Sequence, residues 1–150
     1  VEGGYNRTGS RSPMQWDDST NAGFSSAPAS DLYIAMDPDK DRPTAKKEMA
    51  APDSLYHEVK KLIRIRQSHK ALQSRGKITF VYAEKNAYPL AYIREDGDEK
   101  ILVIINAAAE AKTFACDAEP KEAIYNFGAA AEAKNGKITV PAQSAGFYRI

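Results

Sequence analysis

The residue types best suited to catalysis or metal binding, His and Cys, are few and widely spaced in this chain. The only histidines, His57 and His69, have no cysteine or further histidine at ligand spacing, so zinc coordination and a histidine-based triad have little support. Cys116 lies in a strand-like stretch without a neighbouring base, and we expect a small buried hydrophobic residue rather than a nucleophile.

Two groups of aspartates could offer oxygen ligands or carboxyl catalysis. The spacing of Asp37, Asp39 and Asp41 is similar to the start of a calcium loop, but the Gly and the distal Glu of that motif are absent, so we expect a solvated turn. Asp17 and Asp18 are adjacent and point apart in an extended chain, so they cannot act as a facing pair. We therefore expect no metal and no cofactor.

The elements that would position such residues begin with a long irregular segment. Residues 1–52 are rich in Gly and Pro and show no sustained hydrophobic period, which is typical of loop and suggests a segment that lies against a partner surface. One helix is predicted over residues 53–69, where Asp53 is a natural N-cap. Its apolar residues recur at helical spacing: Leu55, Val59, Leu62 and Ile63.

From residue 77 onward the hydrophobic period becomes that of strands. Strands are predicted at about 78–83, 88–95, 101–106, 112–117, 122–127, 138–140 and 144–150, with turns at Asp96-Gly97 and Asn135-Gly136. The strand at 101–106 is apolar on both faces, so its second face needs cover by a helix or another domain. The pattern predicts a mainly β fold, an antiparallel Greek-key sandwich.

The net charge argues against two classes of partner, and the cysteine content indicates a location. Lys and Arg number 21 and Asp and Glu 20, which gives a net charge of +1. We therefore expect neither a nucleic-acid nor a membrane partner, and the longest apolar run is far shorter than the roughly 20 residues of a membrane helix. The single Cys116 is typical of a reducing compartment, which predicts a cytoplasmic location.

The most specific signal in the chain is a motif near its start. It reads Gly9-Ser10-Arg11-Ser12-Pro13-Met14-Gln15-Trp16-Asp17-Asp18, followed by Asn21-Ala22-Gly23-Phe24-Ser25. It closely resembles the R-[ST]-P-M-Q-W-D and N-A-G-F segments of the α-glucosidase-like branch of glycoside hydrolase family 13, part of the α-amylase family. This branch includes oligo-1,6-glucosidases, α-glucosidases and trehalose synthases. The similarity continues through residues 33–38, 52–55, 61–66 and 137–144. Ser12, where Thr is usual, is a conservative departure.

The resemblance implies a division of the chain and a role for one residue. Residues 1–74 would be a remnant of the (β/α)8 barrel, with the loop after strand eight and the final helix at about 53–69, and residues 75–150 the C-terminal β-sandwich. The motif's arginine, here Arg11, would contact the glucose before the scissile bond. Pro13 favours an extended Ser12 and so helps to aim this side chain, and a guanidinium fork suits sugar hydroxyls. Met14 and Trp16 would pack beneath the loop.

The resemblance also implies the function. The parent enzyme would hydrolyse terminal α-linked glucose of oligosaccharides with retention, using two carboxyl groups about 5 Å apart. In the family these come from barrel strands before the motif, and a barrel takes roughly 250 residues. We therefore expect no catalytic residue in this chain, no activity when it is alone, a missing barrel domain as its partner, and possible self-association.

Two alternatives stay open from the sequence. One is a fragment of a family 13 transglycosylase or isomerase such as a trehalose synthase, in which a sugar acceptor replaces water. The other is a free-standing carbohydrate-binding module, which requires exposed aromatic residues in a row on one sheet face. For residues 75–150, a purely structural domain that covers one side of the barrel is favoured.

Overall fold

The computed structural model describes residues 11–150, so Gly9 and Ser10 of the motif lie outside the described residues. The chain divides into two compact units, and the division falls between Leu62 and Ile63. The predicted domain boundary at residues 74 and 75 stays a prediction. The helices are α1 (Ala45–Ala50) and α2 (Leu55–Ser68). The strands are β1 (Lys77–Tyr82), β2 (Leu90–Asp96), β3 (Glu99–Asn106), β4 (Lys112–Ala115), β5 (Glu122–Phe127), β6 (Glu132–Lys134), β7 (Lys137–Val140) and β8 (Ser144–Arg149).

Helix α1 was not predicted, because its six residues are too few to show a hydrophobic period and none of them is buried. A cap supports it instead. The buried hydroxyl of Thr44 accepts a hydrogen bond from the backbone N–H of Lys47 at 3.2 Å, which satisfies one of the free donors at a helix start. Among the described residues before α2, from residue 11 on, the remaining chain is irregular apart from one-turn 3₁₀ helices at Thr20–Gly23 and Ala29–Asp31.

Helix α2 confirms the predicted helix, but it begins at Leu55, and the hydroxyl of Ser54 rather than Asp53 accepts the N–H of His57 at its start. Most of its apolar stripe is exposed in the described chain. Leu55 is 73% exposed, Val59 45% and Ile63 52%. Exposed aliphatic side chains at this helical spacing form a continuous apolar surface. Among residues 11–150, neither helix combines the length and the apolar character that crossing a bilayer requires.

The second unit contains two antiparallel sheets that share a core. One sheet has the strand order β1-β2-β3-β8-β5 and the other β4-β7-β6. Leu102, Ile104 and Tyr148 of the first sheet pack with Ile138 and other residues of the second. After β3 the chain crosses to the second sheet in β4, back to the first in β5, again to the second in β6 and β7, and returns in β8 between β3 and β5. These features confirm the predicted antiparallel sandwich.

The hairpin turns have the backbone that their sequences predicted. Asn135 and Gly136 join β6 to β7 with φ of 52° and 69°, and Gly97 joins β2 to β3 with φ of 61°. Left-handed residues at a two-residue turn match the twist of the paired strands, and Asn and Gly adopt them at least cost. The turn residues therefore set the register of both hairpins.

The second apolar face of β3 is covered from within the same unit. Ile101 and Val103 are buried against Ala71 and Leu72 of a one-turn helix at Lys70–Leu72, and Ile65 of α2 packs on the same cluster. This confirms the prediction that a helical segment covers that face. Each aliphatic side chain buried in this way contributes about 1.5–3 kcal/mol.

Glu99 at the start of β3 holds this one-turn helix in place. Its Oε1 lies 2.6 Å from Nδ1 of His69, and its Oε2 accepts the backbone N–H of Ala71 at 2.8 Å. Its side chain is only 13% exposed. Burial alone raises the pKa of Glu99, but the Ala71 N–H, His69 and the more distant Arg149 together outweigh it and hold that pKa below its ordinary value.

We expect Glu99→Gln to lower the free energy of unfolding by about 1.5–3 kcal/mol at pH 7, because charge-assisted hydrogen bonds are lost. A carboxyl with a depressed folded pKa stabilises the protein above its unfolded pKa of about 4.3, and this contribution disappears as pH falls through the folded value. Urea unfolding from pH 7 to 3 should show the variant and the wild type converging in acid. Glu132→Gln, at an exposed position in β6, is the control. A constant difference across the pH range would contradict the role of the charge.

Candidate functional site

The segment that carries the motif is exposed at its start and anchored further along. Arg11, the sequence-predicted substrate-binding residue, is exposed at the first described position. Residues 15–17, a few positions later, are held by backbone hydrogen bonds on two sides. Only three residues separate Arg11 from this anchored stretch, which limits where its backbone can lie.

One side of the anchor is the start of α1. The backbone N–H groups of Ala45 and Lys46 donate to the carbonyl oxygens of Gln15 and Trp16 at 2.8 and 2.9 Å. The side-chain amide of Gln15 donates to the carbonyl of Pro43 at 3.2 Å. Helix α1 thus helps to hold the motif segment in place. The sequence did not predict this role, because the pairing joins residues distant along the chain.

The other side of the anchor is a left-handed turn at residues 21–23. The carbonyl oxygen of Ala22 accepts the N–H groups of both Trp16 and Asp17, at 2.8 and 3.2 Å. Asn21, Ala22 and Gly23 have φ of 51°, 52° and 71°. For a residue other than glycine this conformation costs about 1–2 kcal/mol, so the surrounding contacts must stabilise it.

Two contacts fix the turn. Nδ2 of Asn21 donates to the carbonyl oxygens of Ser25 and Ala27, at 3.0 and 2.7 Å. Gly23 is packed so closely that a Cβ there would lie 3.0 Å from Oδ1 of Asp17. Asn21 is therefore a candidate functional residue that the sequence did not single out, although the tolerance of Asn for left-handed backbone was an available signal.

Asp17 and Asp18 each have a partner within the described chain. Oδ1 of Asp17 accepts the hydroxyl and the backbone N–H of Ser19, and these two hydrogen bonds lower the pKa of its carboxyl. Oδ1 of Asp18 lies 3.0 Å from Nζ of Lys47. Both carboxylates therefore stabilise the local chain rather than face a common reacting atom.

The expectation that Met14 and Trp16 pack beneath the loop is not met within the described residues. Met14 is 50% exposed and Trp16 52%. Phe24 in the same unit is 48% exposed. The backbone of this segment is therefore fixed by hydrogen bonds, whereas its large side chains retain free apolar surface.

Each histidine has a hydrogen-bond partner within the chain, and the cysteine is buried. A ring nitrogen of His57 lies 3.0 Å from the carbonyl oxygen of Met49, and His69 pairs with Glu99. Cys116 is buried, as predicted, and burial raises the pKa of its thiol, which makes it a poorer nucleophile. Among residues 11–150, no cluster of His, Cys, Asp or Glu could hold a metal ion.

The Asp37–Asp41 stretch is a turn whose carboxylates bind its own backbone. Oδ1 of Asp37 accepts the N–H of Asp39 at 3.0 Å, and Oδ1 of Asp39 accepts the N–H of Asp41 at 2.8 Å. The guanidinium of Arg42 donates to the carbonyl of Asp39 at 2.9 Å and also lines a cavity of about 300 Å³ beside Asn21. These residues form the solvated turn that was expected.

The first sheet carries a row with four aromatic rings, of which one is exposed, two are half-buried and one is buried. Phe80, Tyr92, Val103, Phe147 and Tyr125 are paired in register across five strands. Phe80 on the edge strand is 60% exposed, whereas Val103 is 1% and Tyr125 5% exposed. A sugar-stacking platform needs several exposed rings, so this face offers little support for a carbohydrate-binding module.

Comparisons with known proteins agree on one family. Residues 2–75 match the family model described as the α-amylase catalytic domain. A glucan 1,6-α-glucosidase of Streptococcus pneumoniae is 30% identical over 90% of this chain and 24% of the relative. An oligo-1,6-glucosidase of Parageobacillus thermoglucosidasius is 34% identical over 72% of this chain and 18% of the relative.

The fold is also similar to that of a solved enzyme. The trehalulose synthase MutB of Pseudomonas mesoacidophila aligns over 95% of this chain with a TM-score of 0.78 and 30% identity, and a mutant of MutB was solved with its substrate sucrose. The alignment covers 26% of the MutB chain, so this chain spans about a quarter of the length of that enzyme. The family model, these relatives and the antiparallel sandwich after two helices agree: the chain belongs to the α-amylase family of glycoside hydrolases, glycoside hydrolase family 13.

Proposed function

We propose that this chain is part of a retaining glycosidase that hydrolyses terminal α-linked glucose of oligosaccharides, and that it supplies Arg11 as a substrate-binding residue. The observation that carries the proposal is the motif loop, whose residues 15–17 are anchored by Ala22 on one side and by α1 on the other. The names of the glucosidase relatives support the substrate class.

Arg11 would act by binding rather than by proton transfer. Its guanidinium carries a permanent positive charge and several N–H donors, so it can hold hydroxyl groups of a terminal glucose in a fixed orientation. Correct orientation of the sugar relative to two carboxyl groups contributes to the rate. We propose that those carboxyl groups come from a part of the enzyme outside this chain, because Asp17 and Asp18 are held by local partners.

A family 13 isomerase is the second candidate, and the likeness to a trehalulose synthase favours it specifically. The same binding role of Arg11 would serve both reactions, since they differ in whether water or a sugar accepts the glucosyl group. Assaying the whole enzyme on maltose, isomaltose, sucrose and trehalose separates them. Hydrolysis releases α-glucose first, whereas isomerisation yields a new disaccharide, and NMR of the products distinguishes the two.

For residues 75–150 we propose a purely structural role, supported by the closed sandwich core and by an aromatic row that exposes a single ring, Phe80. We also propose a cytoplasmic location, which the single buried Cys116 supports. Fractionation of the host cells with the whole enzyme's activity as marker tests the location.

When the 150-residue chain is prepared alone, we expect it to self-associate through the exposed stripe of α2. Leu55 and Ile63 are more than half exposed, and apolar surface of this kind gains from burial. Sedimentation velocity should show species larger than a monomer. The double variant Leu55→Glu, Ile63→Glu should be monomeric, whereas the control Lys60→Glu, at an exposed polar position of the same helix, should still associate. A monomeric wild-type chain at high concentration would contradict this prediction.

A further inference from the structure

Three consecutive residues of the motif loop have left-handed backbone. Asn21 and Ala22 adopt φ of 51° and 52°, and Gly23 follows at 71°. Two adjacent residues other than glycine in this region are uncommon, and strained backbone of this kind persists only where its surroundings hold it. Such strain concentrates at functional sites, so the turn needs an explanation in terms of what it holds.

The side chain of Asn21 is the group that holds the turn closed. Its amide has two N–H donors, and Nδ2 reaches the carbonyl oxygens of both Ser25 and Ala27. This cross-link ties the first residue of the turn to the chain that leaves it. No other uncharged side chain of similar size offers two donors on one nitrogen and also tolerates left-handed backbone.

The turn in its closed form presents the carbonyl of Ala22 to the motif. Ala22 is 1% exposed, and its carbonyl accepts the N–H groups of Trp16 and Asp17 together. Because one oxygen accepts two successive N–H groups, it fixes both the distance between the motif backbone and the turn and the rotation of that backbone. Only Ser12, Pro13 and Met14 separate Arg11 from the anchored residues, and Pro13 removes one backbone rotation.

We propose that Asn21 is a positioning residue for substrate binding: its amide maintains the left-handed turn, the turn holds residues 16 and 17, and these set the origin and direction of Arg11. The inference rests on the proposed substrate contact of Arg11. It assigns Asn21 no contact with the sugar, so its effect on catalysis passes through Arg11.

The test is a double-mutant cycle in the whole enzyme, measured as kcat/KM on whichever of maltose, isomaltose, sucrose, trehalose or p-nitrophenyl α-D-glucoside it turns over best. Asn21→Gly permits the left-handed backbone but removes both donors, and Asn21→Asp keeps the shape but replaces the donors with an acceptor. The control is Asn135→Gly, since Asn135 has φ of 52° in the exposed β6–β7 hairpin. Thermal unfolding of every variant establishes that it folds.

We expect each Asn21 variant to lose about tenfold in kcat/KM, because a misplacement of about 1 Å can cost about a hundredfold and we expect a smaller displacement of Arg11. Asn135→Gly should match the wild type. In an Arg11→Ala background, Asn21→Gly should change kcat/KM by less than about twofold, since coupled residues are not additive.

The cycle distinguishes the two proposals. Full additivity of Asn21→Gly with Arg11→Ala, or wild-type kcat/KM in both Asn21 variants, would overturn the positioning role while leaving the role of Arg11 intact. A wild-type kcat/KM in Arg11→Ala alone would remove the substrate contact and the positioning role together. A loss in Asn135→Gly equal to that in Asn21→Gly would also overturn the inference, because any left-handed Asn would then have the same effect.

Discussion

The 150-residue chain alone is expected to show no turnover of p-nitrophenyl α-D-glucoside, while the whole enzyme of which it is part turns it over. Retaining hydrolysis needs a nucleophilic carboxylate and a second carboxyl group about 5 Å away that acts as acid and then as base. The two aspartates of the motif itself are held by other groups, Asp17 by Ser19 and Asp18 by Lys47. The expected difference is the entire catalysed rate.

Release of p-nitrophenolate from the purified chain, followed over hours at high protein concentration, checks this prediction. The chain should first be shown to be folded by near-ultraviolet circular dichroism, so that inactivity is not a result of unfolding. As a control against a contaminating glucosidase, the preparation of an Arg11→Ala chain should give the same background. Turnover that scales with the wild-type chain and is lost in Arg11→Ala would contradict the prediction.

In the whole enzyme, Arg11→Ala is expected to lower kcat/KM by roughly ten- to a hundredfold. Loss of a charge-assisted hydrogen bond costs about 1.5–3 kcal/mol, and each 1.36 kcal/mol corresponds to a factor of about ten. Because Arg11 is exposed in the described chain, its removal should leave the melting temperature nearly unchanged. Steady-state kinetics on the best substrate, together with thermal unfolding, provide the two measurements.

Two variants control this experiment. Arg11→Lys keeps the charge but lacks the planar fork, so it should recover only part of kcat/KM. Arg75→Ala removes an exposed arginine from a loop of the second unit and should have no effect. If Arg11→Ala has a wild-type kcat/KM, Arg11 has no part in substrate binding. If its melting temperature falls sharply, Arg11 supports the fold instead.

The elements of the second unit follow from local sequence. The alternating apolar residues of β1, β2 and β7 and the Asn135-Gly136 and Asp96-Gly97 turns act over a few residues, so they are visible in the sequence itself. The apolar character of β3 on both faces also implied two layers of cover. The residues that provide the second layer are Ile65, Ala71 and Leu72. Only the path of the chain back onto the sheet determines this choice.

The candidate site, too, could be predicted from the sequence only in part. The sequence alone was enough to identify the motif and its family and to predict Arg11 as a substrate-binding residue, because these depend on residue types at fixed spacing. It did not reveal α1 or the proposed role of Asn21. Helix α1 contacts the motif through the N–H of Ala45, which donates to the carbonyl of Gln15. Asn21 closes a turn through Ser25 and Ala27, and the Ala22 carbonyl of that turn accepts the N–H of Trp16. Hydrogen bonds between segments that are not adjacent leave no periodic pattern, so only the tertiary structure places the groups that hold the motif in position.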